Sequence, residues 1–150
     1  MNNLGNLAGS IGKGLLAGAF GTLVMTASST IEMKLRGREG SSAPADAAEK
    51  VLGVEPTGED EKERFSNLVH FGYGAGWGAA RGVIGYAGVR GPAAAGAHLA
   101  AVWGSELVML PALDVAPPAT KWGAKEVGID WFHHAVYAAA TSMAYEWLDR

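Results

Sequence analysis

Residues 70–82 read "HFGYGAGWGAARG", and five of these thirteen residues are glycine. A nucleotide-binding loop is excluded, because no predicted strand precedes the glycines as the dinucleotide-binding motif requires. The glycines recur at small-x-x-x-small spacing, which lets the backbones of two membrane helices approach closely. We therefore interpret this stretch as part of a tightly packed transmembrane helix.

Charge is sparse and unevenly placed along the chain. Charged residues make up 18% of the sequence, below the ~25% typical of soluble domains. Four stretches contain no Asp, Glu, Lys or Arg: 14–31, 65–80, 91–105 and 131–145. A helix of a soluble bundle should carry a charged face, and these stretches have none.

The sequence therefore predicts an all-α fold, a polytopic membrane bundle of four transmembrane helices in a single domain, 1–150. The predicted spans are 12–33, 65–88, 92–113 and 131–148. A soluble, alanine-rich four-helix bundle is the alternative. Small-residue spacing in the first two spans predicts Gly14, Gly18, Gly74 and Gly78 as helix-packing residues.

The connectors between the spans have features of their own. In the first, "SSAPADAAEKVLG" predicts a short helix that Gly53 ends in a left-handed conformation. In the third, Asp130 is predicted as the N-cap of the fourth span. The connectors 34–64 and 114–130 together carry eight of the twelve basic residues. The positive-inside rule places both in the cytoplasm and both termini outside.

Spans two and four share a pattern. His70 and Tyr73 recur as His134 and Tyr137, at an offset of 64 residues. The chain thus reads as two helical hairpins in one orientation, a parallel repeat. Chance similarity between Gly/Ala-rich helices is the alternative.

Ionisable and aromatic side chains suggest a polar pathway or ligand site. His70, Tyr73 and Arg81 share one helical face. Glu106 lies inside a span, where a carboxylate is costly unless it is compensated, and His134 is its predicted partner. The predicted site residues are Glu32, His70, Tyr73, Arg81, Glu106, His134 and Tyr137. The alternative is structural: histidines near headgroups and Arg81 snorkelling outward.

Three functions fit this pattern. The first is a channel or transporter subunit for protons or small cations. The second is a structural or assembly subunit of a larger membrane complex. The third is a haem- or metal-binding protein, with His70 and His134 as haem ligands, or with Glu32, Glu106, His70 and His134 gathered at one depth to bind a divalent cation. We predict no enzymatic activity, since no catalytic constellation is present, and assign no cofactor. No metal site is assigned, because no ligand spacing such as H-E-x-x-H occurs.

The predicted partners are the lipid bilayer and either further copies of the chain or a larger membrane complex. The absence of a basic patch argues against nucleic acid.

Three short motifs carry a family resemblance: "GAFGTLVMT" at 18–26, "HFGYGAGWG" at 70–78, and the later "LP" at 110–111. The chain resembles small bacterial inner-membrane proteins of the YagU-like kind. The resemblance implies a multi-pass protein of the bacterial inner membrane. It implies no chemistry.

The orientation is testable by single-cysteine labelling, because the chain contains no native cysteine. We expect Ser42→Cys to be protected from a membrane-impermeant thiol reagent in intact cells and to react after the cells are opened. Labelling in intact cells would overturn the predicted topology.

Overall fold

The computed structural model describes residues 3–150, which are helical and contain no strand. The prediction of an all-α bundle is confirmed over that range. The α-helices are α1 (Asn3–Arg36), α2 (Ala43–Leu52), α3 (Glu59–Tyr86), α4 (Gly91–Ala112) and α5 (Ala124–Leu148). A short 3₁₀ turn, Ala119–Lys121, precedes α5.

The connector helix α2 forms as predicted, and Gly53 ends it with a φ of 67°. The start of the last long helix was predicted wrongly. Gly123, with a φ of 85°, precedes its first turn, so Asp130 lies inside α5 and is not its N-cap. The error has a local cause: the good helix formers Ala124, Lys125 and Glu126 begin the helix, but the charges of Lys125 and Glu126 had assigned this stretch to the connector.

The four long helices alternate in direction. α1 packs against α3 over its middle and against α5 on its other side, while α4 packs against α3 and α5. α3 and α5 run parallel, because Arg81 meets Ser142 while Gly74 meets Tyr137. The ends of α1 and α4 and the starts of α3 and α5 therefore lie at one end of the bundle, the connector end.

The contact between α1 and α3 is a contact of backbones. A Cβ atom built on Gly18 would lie 2.7 Å from the Cα of Gly78, and one built on Gly78 would lie 2.6 Å from the Cα of Gly18. One turn away, a Cβ on Gly14 would lie 3.0 Å from the nitrogen of Gly82. At the next level, Gly74 faces the side chain of Thr22. Only glycine permits this approach, which maximises van der Waals contact between the helices.

Polar side chains share the interior with small apolar residues such as Ala17, Ala94 and Ala138, while many large apolar side chains are exposed. The largest side chains less than 2% exposed all carry polar atoms: Arg81, Tyr145, His98, Thr22 and Thr141. Large apolar side chains on the outer surface include Leu16 (66% exposed), Phe20 (50%), Val108 (70%), Met143 (73%) and Trp147 (67%). Large buried polar side chains together with large exposed apolar ones are unusual in soluble domains.

Two of the described helices, α1 and α4, are long and apolar enough to cross a membrane, judged by length and composition. α3 begins with the charged run "EDEKER", and α5 carries Lys125, Glu126 and Asp130 in its first two turns. Composition therefore identifies two spans where four were predicted.

The backbone contact generates a matched pair of substitutions on α3. Gly78→Ala places a methyl group against the backbone of α1, so we expect it to destabilise the bundle by about 1–3 kcal/mol, as an overpacked contact does. Gly76→Ala adds the same methyl group where no atom lies within 4 Å, so it should be neutral or stabilise by up to about 1 kcal/mol through helix propensity. Unfolding in mixed detergent micelles measures both. Equal effects of the two changes would contradict the packing described here.

Candidate functional site

Glu106 and His134 meet between α4 and α5 near the connector end. The Oε2 atom of Glu106 lies 2.7 Å from Nε2 of His134, which is the partner predicted from the sequence. One turn earlier on α5, Asp130 completes a group of three, with its Oδ1 atom 3.6 Å from Nδ1 of His134. The indole nitrogen of Trp103 donates a hydrogen bond of 2.7 Å to Oδ2 of Asp130. One donor atom from each of Glu106, Asp130 and His134 lies within 4.8 Å of the others. We call these three residues the EDH cluster.

The sequence analysis found two members of the EDH cluster and missed the third. Asp130 was assigned to the N-cap because the helix was started too late. A usable signal was present: Asp130 and His134 are spaced i, i+4, which puts both on one face of a helix. Trp103 gave no signal, because its role depends on how α4 and α5 pack.

Glu32 belongs to a separate cluster and does not join Glu106. Its carboxylate forms ion pairs with Arg36 and Arg38 at the end of α1. Its Oε2 atom also lies 3.8 Å from Nε2 of His133. The predicted gathering of Glu32 with Glu106, His70 and His134 is therefore wrong. The reason is the rotation of α5, which points His133 at α1 and its neighbour His134 at α4.

Arg36 also ties α1 to the start of α5. Its guanidinium donates to both carboxylate oxygens of Glu126, at 3.0 Å and 2.5 Å. The hydrogen bonds from Arg36 lower the pKa of Glu126 below its usual value. Because this ion pair is exposed, it adds little to the free energy of unfolding. It holds the end of α1 beside the start of α5.

The predicted polar face of α3 is divided. Nε2 of His70 lies 2.9 Å from Oγ1 of Thr26 on α1. Tyr73 is 39% exposed on the outer surface, where its ring packs edge-on against Trp77. The prediction that Tyr73 shares an inward face with Arg81 is thus wrong, because the glycines of α3 turn its other side toward α1.

Tyr137 and His98 lie in the middle of the bundle. The hydroxyl of Tyr137 donates a hydrogen bond of 2.5 Å to the carbonyl of Gly74. His98 is fully buried, with Nε2 3.0 Å from the carbonyl oxygen of Trp77 and its ring 5.4 Å from that of Tyr137. The sequence analysis had not included His98 in the site.

Arg81 is completely buried rather than snorkelling outward. Its Nε atom donates to the hydroxyl of Ser142 at 3.0 Å, and Nη2 donates to Oε1 of Glu146 at 3.3 Å. The guanidinium carbon sits 4.5 Å from the ring centre of Tyr145, a cation–π contact. A permanent charge is thus held inside the bundle by three side chains of α5.

Six buried polar atoms have no hydrogen-bond partner among residues 3–150. They are Glu106 Oε2, His133 Nε2, His98 Nδ1, Thr141 Oγ1, Tyr145 OH and Arg81 Nη1. Oε2 of Glu106 counts among them although it lies 2.7 Å from Nε2 of His134, with which it forms an ion pair when the imidazole is protonated. Positions 134, 137, 141 and 145 share one face of α5 and span about 16 Å at the rise of an α-helix. Thr141 Oγ1 and Tyr145 OH belong to this face, and the unpartnered atoms of Glu106, His98 and Arg81 are on side chains of α3 and α4 that contact it. Nε2 of His133 lies apart from them, toward α1.

No protein-family model matches the chain, and neither curated proteins nor solved structures gave a match. The resemblance to YagU-like proteins accordingly stays a prediction. The description of the site rests on geometry alone.

The buried charge of Arg81 generates a stability prediction. Glu146→Gln keeps an acceptor for the backbone nitrogen of Gly91, 2.7 Å away, but removes the negative charge beside Arg81. We expect the free energy of unfolding to fall by about 1–3 kcal/mol, the range for a buried group losing a charged partner, reduced here by the partial exposure of Glu146. Glu126→Gln removes an exposed carboxylate of the same type and should change stability little. A larger loss for Glu126→Gln than for Glu146→Gln, measured in the same micelles, would contradict this account.

Proposed function

We propose that this protein is a small integral membrane protein whose four long helices all cross the bilayer. The main support is the combination described above of large polar side chains in the interior and large apolar side chains on the outer surface. α3 and α5 share it: Leu68 and Met143 on their outer surfaces are 72% and 73% exposed, while Arg81 and Thr141 are fully buried. Lipid would cover the apolar side chains, and ionisable groups inside a membrane face the bundle interior.

We infer that both termini lie on the same side of the membrane, which the alternating helix directions support. The connector end carries Arg36, Arg38 and Lys125, and the basic count supports a cytoplasmic position for that end. The opposite end carries Lys13 and Arg90, which both pair with Asp149, at 2.9 Å and 3.3 Å. A bacterial inner membrane suits this arrangement.

Within the membrane, we propose that the bundle conducts protons or small cations. The observation that carries this proposal is the row of unpartnered buried polar atoms along α5. Leaving a buried polar group without a partner costs about 1–3 kcal/mol, so the five such atoms on and against the inner face of α5 favour water or a passing ion inside the bundle.

The row has a different chemistry at each end. At the cytoplasmic end it begins with the carboxylates and imidazole of the EDH cluster, which hold or release protons and cations. At the other end, the charge of Arg81 is balanced by Glu146, so the pair adds no net charge to the path. Hydroxyl groups, which both donate and accept hydrogen bonds, lie between them at Tyr137 and Thr141.

One observation favours assembly with other membrane helices as a second function. A shallow groove on the outer face of α3 is lined by Gly72, Tyr73, Gly76, Trp77 and Ala80. No atom lies within 4 Å of a Cβ built on Gly72 or Gly76. A helix from another copy, or from a larger complex, would fit a surface of this kind.

Flux through liposomes tests the conduction proposal. Purified protein should speed the decay of an imposed pH gradient, or the uptake of Na⁺ or K⁺, relative to empty vesicles.

Thr141→Val keeps the shape of the side chain but removes the hydroxyl. We expect the flux to fall about tenfold, the effect of losing one hydrogen bond of about 1–1.5 kcal/mol along the path. Thr120→Val, at an exposed position in the third connector, serves as the matched control and should leave the flux unchanged. Wild-type vesicles no leakier than empty ones would refute conduction, as would equal fluxes in the two variants.

A further inference from the structure

The protonation state of His134 is constrained by its own helix. Nδ1 of His134 lies 2.9 Å from the carbonyl oxygen of Asp130. A carbonyl oxygen only accepts, so Nδ1 carries a proton and donates it there. In the neutral ring, the lone pair is then on Nε2, the atom that faces Glu106. Metal-binding histidines are usually held in this way, with the second ring nitrogen donating to a carbonyl or carboxylate.

The facing atoms of Glu106 and His134, Oε2 and Nε2, are 2.7 Å apart. Oε2 of Glu106 has no hydrogen-bond partner among the described residues. A carboxylate oxygen and an unprotonated imidazole nitrogen are both electron-pair donors, so a cation bound beside them would resolve the mismatch. Asp130 supplies a third oxygen within 4.8 Å.

Trp103 holds the third ligand in place. Its indole N–H donates to Oδ2 of Asp130 at 2.7 Å, which leaves Oδ1 free to coordinate. Such a hydrogen bond to a ligating carboxylate is typical of metal sites, where it orients the ligand without touching the metal. The EDH cluster therefore has both ligands and the groups that orient them.

We propose that Glu106, Asp130 and His134 bind a divalent transition-metal ion at the cytoplasmic end of the bundle. One imidazole and two carboxylates suit Mn²⁺, Fe²⁺, Co²⁺ and Zn²⁺. Three protein ligands leave coordination positions for water, as in sites that exchange their ligands. This proposal goes beyond the proposed function, because binding is measured on the protein in detergent whether or not the bundle conducts ions.

Two measurements on the full-length, metal-stripped protein in detergent test the site. Titration with Zn²⁺ by calorimetry should give one bound ion per chain. Titration with Co²⁺ should give a visible absorption spectrum typical of mixed nitrogen and oxygen ligands. Glu106→Gln and Asp130→Asn should each weaken Zn²⁺ binding at least about tenfold, since each removes a charged ligand.

Trp103→Phe tests whether Trp103 acts by positioning Asp130 or by stabilising the fold. It removes the hydrogen bond to Asp130 and keeps an aromatic ring, and we expect Zn²⁺ affinity to fall by about 10–100-fold, the usual effect of losing such an orienting group. Its melting temperature without metal should stay near that of the wild type. His70→Gln changes a histidine near the same end that hydrogen-bonds to Thr26, outside the EDH cluster, and should bind Zn²⁺ like the wild type.

The outcomes separate this proposal from the conduction proposal. Zn²⁺ binding lost in Glu106→Gln and kept in His70→Gln supports the site, even if the liposomes show no flux. Absence of Zn²⁺ binding by the wild type, or an equal loss in His70→Gln, overturns the site and leaves an ion pair between Glu106 and a protonated His134. Flux without Zn²⁺ binding would overturn the metal site alone.

Discussion

The rest of the structure depends on the backbone contact between α1 and α3. Gly14 and Gly18 face Gly78 and Gly82, and no side chain separates the two backbones. Inside a bilayer, burial of apolar side chains gives helices little reason to associate, because the lipid is equally apolar. Close van der Waals contact of this kind is therefore the main force available to hold the two helices together. It also fixes which side of α3 faces inward, which sends Tyr73 outward and leaves Arg81 inside.

Other glycines make room for the polar side chains of α5. A Cβ built on Gly21 would lie 3.0 Å from the carbonyl oxygen of Tyr137, and one built on Gly85 would lie 2.5 Å from the hydroxyl of Tyr145. The hydroxyl of Tyr137 reaches the carbonyl of Gly74 at the edge of the same contact. The abundance of glycine thus has two causes: close approach of α1 and α3, and space for aromatic and polar groups between those helices and α5. The polar side chains of α5 fit into the interior because glycine in the neighbouring helices leaves space for them.

Local pattern was enough to predict the helical class and the short connector helix. The i, i+4 glycine spacings pointed to a helix contact, and Gly18 and Gly78 lie at one. Pairing of Glu106 with His134 followed from two points: a carboxylate inside a span needs a partner, and both residues lie toward the connector between the third and fourth spans. The rotation of α5 about its own axis did not follow, because nothing local distinguishes His133 from its neighbour His134. The role of Asp130 was lost with the helix start, and that of Trp103 depends on a contact between two helices. These are properties of packing, which a single-sequence pattern does not encode.

The central claim is that α5 crosses the membrane with a polar inner face, although its composition alone does not mark it as a span. Spin labels placed singly at 139–147 in lipid nanodiscs test it most directly, through collision with oxygen, which partitions into lipid, and with a water-soluble nickel complex. Among these positions, Ala139 and Met143 are exposed, and Thr141 and Tyr145 are buried. The account predicts high oxygen and low nickel accessibility at 139 and 143, low values of both at 141 and 145, and a period near 3.6 residues. High nickel accessibility at Met143 would contradict it, because that face of α5 would then lie in water.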